Sequence, residues 1–288
     1  MFIFILLLCL IILIIIMKRV VNYRTKQVCE NFIDKYNIEE DDYDKQYVDI
    51  CNIIENDKNK IEKDVKKILE KINDKKICIF GCGTGHYTNE FLKNKCIVVG
   101  VDKSRNMLEK ATIENTKCEF IRGNIKKKTL FKENELNNIF IDKNVLNLNE
   151  YSNIVDIIRN IGKWVKKDGN VIVNIYNNNK LDKIYPRQYS QSFKNNNSDN
   201  DGIKNVTFTY FKNFRYDTWI KKISKNKYDW FEKIVLENNN YRIKKQNLTI
   251  LPKKNIINLF INNNFIVKTI IKNRDSYLQN DLIVFSKK

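Results

Sequence analysis

Residues 77–91 read ICIFGCGTGHYTNEF and hold three of the eight glycines in this 288-residue chain. The apolar run ending at Phe80 has the composition of a strand buried on both faces. Gly81, Gly83 and Gly85 then fall within five positions, and a helical stretch follows from His86. A turn needs only one glycine. Three let the main chain approach a ligand closely and adopt backbone angles that side chains disfavour. A helix starting behind them offers unpaired N–H groups and partial positive charge. The stretch is expected to cradle a polar ligand above the C-terminal end of the strand.

Further apolar runs occur at 96–102 (CIVVGVD), 118–124 (CEFIRGN), 137–142 (NNIFID) and 170–176 (NVIVNIY). Helical periodicity separates them at 86–94, 104–116 and 150–167. The last of these carries Ile154, Ile157, Ile158, Ile161 and Val165 on one face and stops at Asp168-Gly169. Strand and helix alternating in this way predict a parallel sheet covered on both faces. Upstream, residues 41–72 read as helix. Tyr43, Tyr47, Ile50 and Ile54, then Ile61, Val65, Ile68 and Ile72, recur at helical spacing. Downstream, residues 177–205 read as loop, and 206–216 and 229–250 as antiparallel strands. A helix is expected over 253–263 after Pro252, and strands over 265–271 and 282–288.

Composition sets the class. The chain is 43% hydrophobic and 30% charged, which supports a packed core. Its formal charge of +18 is uneven, with +6 over residues 1–180 and +12 over 181–288. Such an excess could face phosphates, but the lysines are scattered, which favours compositional bias, and nucleic acid is possible without being favoured. Residues 1–17, MFIFILLLCLIILIIIM, contain no polar side chain. As a helix they span about 26 Å at about 1.5 Å per residue. Val20, Val21 and snorkelling by Lys18 and Arg19 extend that reach across a hydrocarbon core of about 30 Å. Residues 1–21 are therefore expected to be a transmembrane anchor, with 22–40 a linker. Lys18, Arg19, Arg24 and Lys26 after the span put the rest of the chain on the cytosolic side of a membrane. The seven cysteines lack paired spacing and suit free thiols in a reducing compartment. With His86 the only histidine, a His-rich zinc site is excluded, and no metal is expected.

The ligand can be narrowed from spacing. Gly81, Gly83 and Gly85 spell G-x-G-x-G, not the G-x-G-x-x-G of dinucleotide sites, and a phosphate-loop Lys-Ser/Thr pair is absent. The second strand ends in Asp102, whose carboxylate can grip both hydroxyls of a ribose. That suits NAD and S-adenosylmethionine alike. The third strand ends in Gly123-Asn124, where an amide can meet an adenine edge with Ile125 packed on the ring.

The segments ICIFGCGTGHY, CIVVGVDKSRNMLEKA, CEFIRGNI and WVKKDGNVIVNIYN resemble the successive motifs of class I S-adenosylmethionine-dependent methyltransferases. Residues 177–186 and 247–267 are similar, more weakly, to methyltransferase-domain proteins of large DNA viruses of algae and protists. The resemblance implies a Rossmann-like, doubly wound seven-stranded sheet of order 3-2-1-4-5-7-6, its last strand antiparallel. It implies a methyltransferase domain over 41–288, in which 177–250 is a β-rich insertion on the acceptor side. Gly81, Cys82, Gly83 and Gly85 would line the methionine and ribose of S-adenosylmethionine, and Asp102 would hold the ribose. Lys103 and Met107 would flank the adenosine. Asn124 and Ile125 would meet the adenine. Asp142 and Lys143 would lie near the methyl group, and Tyr43 and Tyr47 would lid the cofactor or serve as core aromatics.

Two positions depart from the family pattern. Ile79 stands where an acid usually precedes the first glycine by two, and Asn124 stands where aspartate is usual. No catalytic side chain is singled out, because transfer from a sulfonium depends chiefly on alignment; His86 reads as the first residue of a helix beside the cofactor rather than as a base. The segment IDKN after the fourth strand lacks the NPPY-type motif of amino-group methylases, and no Pro-Cys dipeptide supplies a cytosine-C5 nucleophile. The acceptor is expected to be a small molecule, lipid or protein. The aromatics of the insertion, among them Phe208, Phe211, Tyr216, Trp219 and Trp230, read as strand packing before base stacking. The alternatives are a catalytically degenerate cofactor-binding scaffold and an NAD-type oxidoreductase.

Overall fold

A computed structural model describes residues 43–175, 190–193, 203–272 and 280–288. The anchor and linker expected over residues 1–40, and most of 177–202, lie outside the described residues. No helix among the described residues is long and apolar enough to cross a membrane.

Two helices open the described chain, α1 (Lys45–Ile54) and α2 (Lys58–Leu69). Strand β1 (Lys76–Phe80) leads through the glycine turn into α3 (His86–Lys93). Then follow β2 (Ile97–Asp102), α4 (Arg105–Glu114), β3 (Glu119–Arg122) and β4 (Leu136–Ile141). A short α5 (Lys143–Asn147) and a longer α6 (Tyr151–Trp164) precede β5 (Val165–Ile175). The next five strands form the insertion: β6 (Ser190–Phe193), β7 (Ile203–Tyr210), β8 (Phe214–Lys222), β9 (Lys227–Leu236) and β10 (Tyr241–Thr249). The chain returns through α7 (Lys253–Ile261) to β11 (Phe265–Lys272) and β12 (Asp281–Lys287).

The main sheet runs β3-β2-β1-β4-β5-β12-β11, which is the expected 3-2-1-4-5-7-6 order. Strands β1 to β5 pair in parallel, and β12 lies antiparallel between β5 and β11. The insertion is a separate antiparallel sheet of five strands in the order β10-β9-β8-β7-β6.

Apolar periodicity explains the packing. Ile154, Ile157, Ile158, Ile161 and Trp164 of α6 are at most 1% exposed and pack with Phe80, Ile139 and Ile141 on one face of the main sheet. Ile61, Val65 and Ile68 of α2 pack with Ile77, Ile79 and Phe140 on the other. Helix α1 bridges the parallel sheet's helical layer, at Met107 of α4, and the insertion. Its Tyr47, Val48, Ile50 and Cys51 pack with Tyr216, Ile220, Trp230 and Ile234 of the insertion. The antiparallel sheet is thereby held over the C-terminal edge of the parallel one.

Several expected boundaries move. The helix expected over 41–72 is two helices. The apolar phase runs through the break unchanged, but Asp57 starts a new helix by accepting the Lys60 N–H at 3.1 Å. Asp44 caps α1 in the same way, leaving Tyr43 just outside it. The expected single strand 206–216 is the β7–β8 hairpin, closed by the Phe211 N–H donating to the Phe214 carbonyl. Strand β5 begins at Val165, straight after α6, and is irregular where Asp168 takes a positive φ. Strands β6 and β7 occupy part of the segment expected to be loop.

Candidate active site

Register brings the functional turns together. Phe80 at the end of β1 pairs with Val101 of β2 and with Ile141 of β4, and Asp102 pairs with Arg122 of β3. The next residues, Gly81, Asp102, Asp142 and Gly123-Asn124, therefore leave one edge of the sheet in one row. The crevice there is where open α/β sheets bind ligands.

The glycine turn is tied to that row. Gly81 and Cys82 both donate their N–H groups to the Val101 carbonyl, at 2.8 and 3.1 Å. Asp102 Oδ2 accepts the Gly83 N–H at 3.0 Å, and Oδ1 accepts the Ser104 N–H at 2.9 Å. Burial raises the Asp102 pKa from the ordinary carboxylate range, and the two N–H donors oppose that rise. The glycines serve different ends. A Cβ on Gly81 would stand 2.2 Å from Val145 Cγ2, so α5 packs on bare backbone. A Cβ on Gly83 would meet nothing nearer than Glu55 Oε2, at 4.0 Å, so the space above Gly83 is open.

That space belongs to a cavity of about 620 Å³, within the range of about 300–1,000 Å³ of small-molecule sites. Of the expected residues, Gly81, Cys82, Gly83, Asp102, Lys103, Met107, Asn124, Ile125, Asp142, Tyr43 and Tyr47 all line it. Gly85 does not; it begins the first turn of α3, where a Cβ would crowd Asn115 and Ala111. The Lys143 side chain lies outside what is described. Asn124 Oδ1 accepts the Lys126 N–H at 3.0 Å, so part of its acceptor capacity is already used within the turn. Asp142 Oδ1 accepts from Asn174 Nδ2 at 2.8 Å. His86 is the first residue of α3. Its Nε2 donates to the Asn52 carbonyl at 3.0 Å, and burial lowers its pKa, so it stands neutral.

Tyr43 and Tyr47 both stand on the cavity wall. Their ring centroids are 5.4 Å apart, and Tyr47 is also buried against the insertion. The Tyr47 hydroxyl donates to Glu232 Oε2 at 2.7 Å, and the Tyr216 hydroxyl donates to Glu232 Oε1 at 2.5 Å. Burial raises the Glu232 pKa against those two bonds. The insertion aromatics divide: Phe211, Tyr216 and Trp230 line the cavity, whereas Phe208, Trp219 and Phe231 form a separate cluster.

Sequence reading missed the contributions of Glu55, Asn56, Asp57 and Lys60 from the α1–α2 break, and those of Val145, Glu232 and Gln246. The local signal for the first four was the cap residue Asp57. For Glu232 and Gln246 no local signal exists, because they arrive through pairing of distant strands.

Residues 71–235, more than half of the chain, match the model of a family described as a methyltransferase domain. The chain belongs to this methyltransferase family. A protein of Geobacillus sp. (strain WCH70), named as a candidate methyltransferase, is 32% identical over 116 residues, which are 38% of this chain and 46% of that protein. The chain thus spans about half the length of the curated relative it matches. Among solved structures, an S-adenosylmethionine-dependent methyltransferase from Clostridium acetobutylicum ATCC 824 superposes with a TM-score of 0.63 at 14% identity, over 84% of this chain and 98% of that one. An S-adenosylmethionine-bound amino pentose methyltransferase from Micromonospora echinaspora superposes at 0.61 with 10% identity, over 80% and 91%. These likenesses support the fold.

The matched family is one of methyltransferases, and S-adenosylmethionine is the ligand bound in the structurally similar amino pentose methyltransferase. The residues present here fit S-adenosylmethionine: the space above Gly83 is open, and a carboxylate held against the turn faces the same cavity.

Proposed function

We propose that this methyltransferase transfers a methyl group to a small-molecule acceptor held between the glycine turn and the antiparallel insertion. The observation that carries the reading is the Asp102 carboxylate, fixed by the Gly83 N–H at 3.0 Å on the wall of the cavity. Bound there, S-adenosylmethionine supplies an electrophilic sulfonium methyl group. Asp102 has lone pairs left for the two ribose hydroxyls, while Gly81, Cys82 and Gly83 let main chain approach the sugar and methionine. Lys103 and Met107 flank the adenosine, Asn124 and Ile125 meet the adenine, and Tyr43 and Tyr47 cover the cofactor. Asp142 stands on the acceptor side. The protein's chief contribution is alignment and exclusion of water.

The wall supplied by the insertion favours a compact acceptor. It consists of Thr209, Phe211, Tyr216, Trp230, Glu232 and Gln246. None of these is basic, which speaks against a polyphosphate chain as the acceptor. Residues 1–21 would hold the enzyme on a membrane with this domain on the cytosolic side, a reading supported by their uninterrupted apolar sequence. The similarity to viral methyltransferases rests on the sequence of residues 177–186 and 247–267. A second reading, a cofactor-binding scaffold without turnover, is favoured by the isoleucine at position 79, buried at 1% exposure.

Incubating the full chain with labelled S-adenosylmethionine and fractionated cell extract separates the two. Label entering a low-molecular-weight product supports the proposal. Cofactor binding with no labelled product from any fraction supports the scaffold. Sedimentation with membranes, lost when residues 1–21 are deleted, tests the anchor.

A further inference from the structure

Two residues of the cavity wall bury a side-chain oxygen that has no hydrogen-bond partner among the described residues: Thr84 and Thr209. Each is 1% exposed. Thr84 stands in the glycine turn, on the cofactor side. Thr209 stands in β7, on the insertion wall. A buried hydroxyl without a partner loses its bonds to water on folding and gains none in return. In a cavity wall, such an atom points to a ligand group that supplies the missing bond.

The sheet sets the direction of Thr209. Side chains alternate along a strand. Its neighbour Phe208 packs with Trp219 and Phe231, away from the cavity, so Thr209 belongs to the cavity face. It pairs across the hairpin with Tyr216 of β8, which also lines the cavity. The neighbouring polar groups of this wall are engaged within the protein. Tyr216 donates to Glu232, Trp230 donates to the Thr218 hydroxyl, and Gln246 donates to the Tyr43 hydroxyl at 3.3 Å. Thr209 is the exception among them. Phe211, Tyr216 and Trp230 supply the aromatic surface around it. One hydroxyl on an aromatic wall suits a largely apolar molecule that carries a hydroxyl, amine or carbonyl.

We propose that the Thr209 hydroxyl hydrogen-bonds a polar substituent of the methyl acceptor and selects acceptors that carry one on an apolar body. The inference rests on the acceptor reading above and deepens it. Thr209 sets specificity; it takes no part in making or breaking bonds, and it stands apart from the groups that hold the cofactor.

The test uses two substitutions in the full chain. Thr209→Val removes the hydroxyl at nearly constant shape, and Thr209→Ser keeps it. Three properties are measured: urea unfolding, calorimetric binding of S-adenosylhomocysteine, and transfer from labelled S-adenosylmethionine into the accepting extract fraction at limiting amounts of that fraction. Thr209→Val should unfold at no lower urea concentration than the unsubstituted chain, because an unpaired hydroxyl does not stabilise the free protein. It should bind S-adenosylhomocysteine within about twofold. Transfer should fall about tenfold, the loss of one hydrogen bond, and Thr209→Ser should restore it to within about threefold. Undiminished transfer by Thr209→Val overturns the inference. A clear loss of stability also overturns it, since the hydroxyl is then bonded within the fold. So does S-adenosylhomocysteine weakened as much as transfer, which puts the hydroxyl at the cofactor. No labelled product from any fraction with the unsubstituted chain favours the scaffold, and that result removes the acceptor reading itself.

Discussion

The two walls of the cavity are built by different means. The glycine-turn wall takes its polar groups from main chain, with Gly81, Cys82 and Gly83 N–H groups bonded to a neighbouring carbonyl and carboxylate. Its geometry follows from parallel register and from side chains that are absent. The insertion wall takes its polar groups from side chains bonded to one another: Tyr47 and Tyr216 to Glu232, and Trp230 Nε1 to Thr218 Oγ1 at 3.0 Å. A main-chain site suits a ligand that does not vary. A side-chain site can be changed residue by residue, which suits the partner that differs between enzymes of one fold.

Substitutions can separate the walls. The largest effect is expected beneath both. Trp164 is 1% exposed, packs edge-on to Phe80 and Phe131, and donates its ring N–H to the Lys128 carbonyl at 3.2 Å. Trp164→Ala should cost about 3–5 kcal/mol in urea unfolding. A loss under 1 kcal/mol would mean that the sheet does not depend on this layer.

Gly81→Ala comes next. It combines a positive φ with a 2.2 Å approach to Val145, for a cost of about 2–4 kcal/mol. It should also weaken S-adenosylhomocysteine, and normal stability with normal binding would show that this turn is not tight. On the other wall, Glu232→Gln leaves one tyrosine hydroxyl facing an amide that cannot accept from it. The expected loss is about 1–3 kcal/mol of stability, with S-adenosylhomocysteine affinity within about threefold. A large loss of cofactor binding would show that the two walls are not separable.

Asp57→Ala removes the cap of α2 and should cost about 1 kcal/mol, read by thermal unfolding. The smallest effect is a pH dependence. Ribose hydroxyls donate to the ionised form of Asp102, so affinity must fall as protonation sets in. Burial raises the pKa of the free site, so the fall should begin at higher pH than an ordinary carboxylate gives, and be absent in Asp102→Asn. Titration of affinity downward from neutral pH checks this. A wild-type profile identical to that of the variant would remove Asp102 from the binding equilibrium.

The same contrast explains what could be read in advance. The alternation of strand and helix, the glycine turn and Asp102 were legible because each signal sits within a few residues, whereas the strand order and Asp142 came only from the family resemblance. The halves of the insertion network are 185 residues apart for Tyr47 and Glu232, and no local pattern encodes that meeting. The α1–α2 break was hidden for another reason. Ile54 to Ile61 keeps the apolar phase of a continuous helix, so periodicity hid a boundary that only the cap residue Asp57 marks. Glu55 was missed with it.

The most direct measurement is calorimetric titration of S-adenosylhomocysteine into the full chain and into Asp102→Ala. Binding to the unsubstituted chain, weakened by about 1–3 kcal/mol in the variant through loss of charge-assisted hydrogen bonds, is the predicted result. Equal affinity in both proteins would contradict a pocket organised around the glycine turn and the carboxylate that closes the second strand.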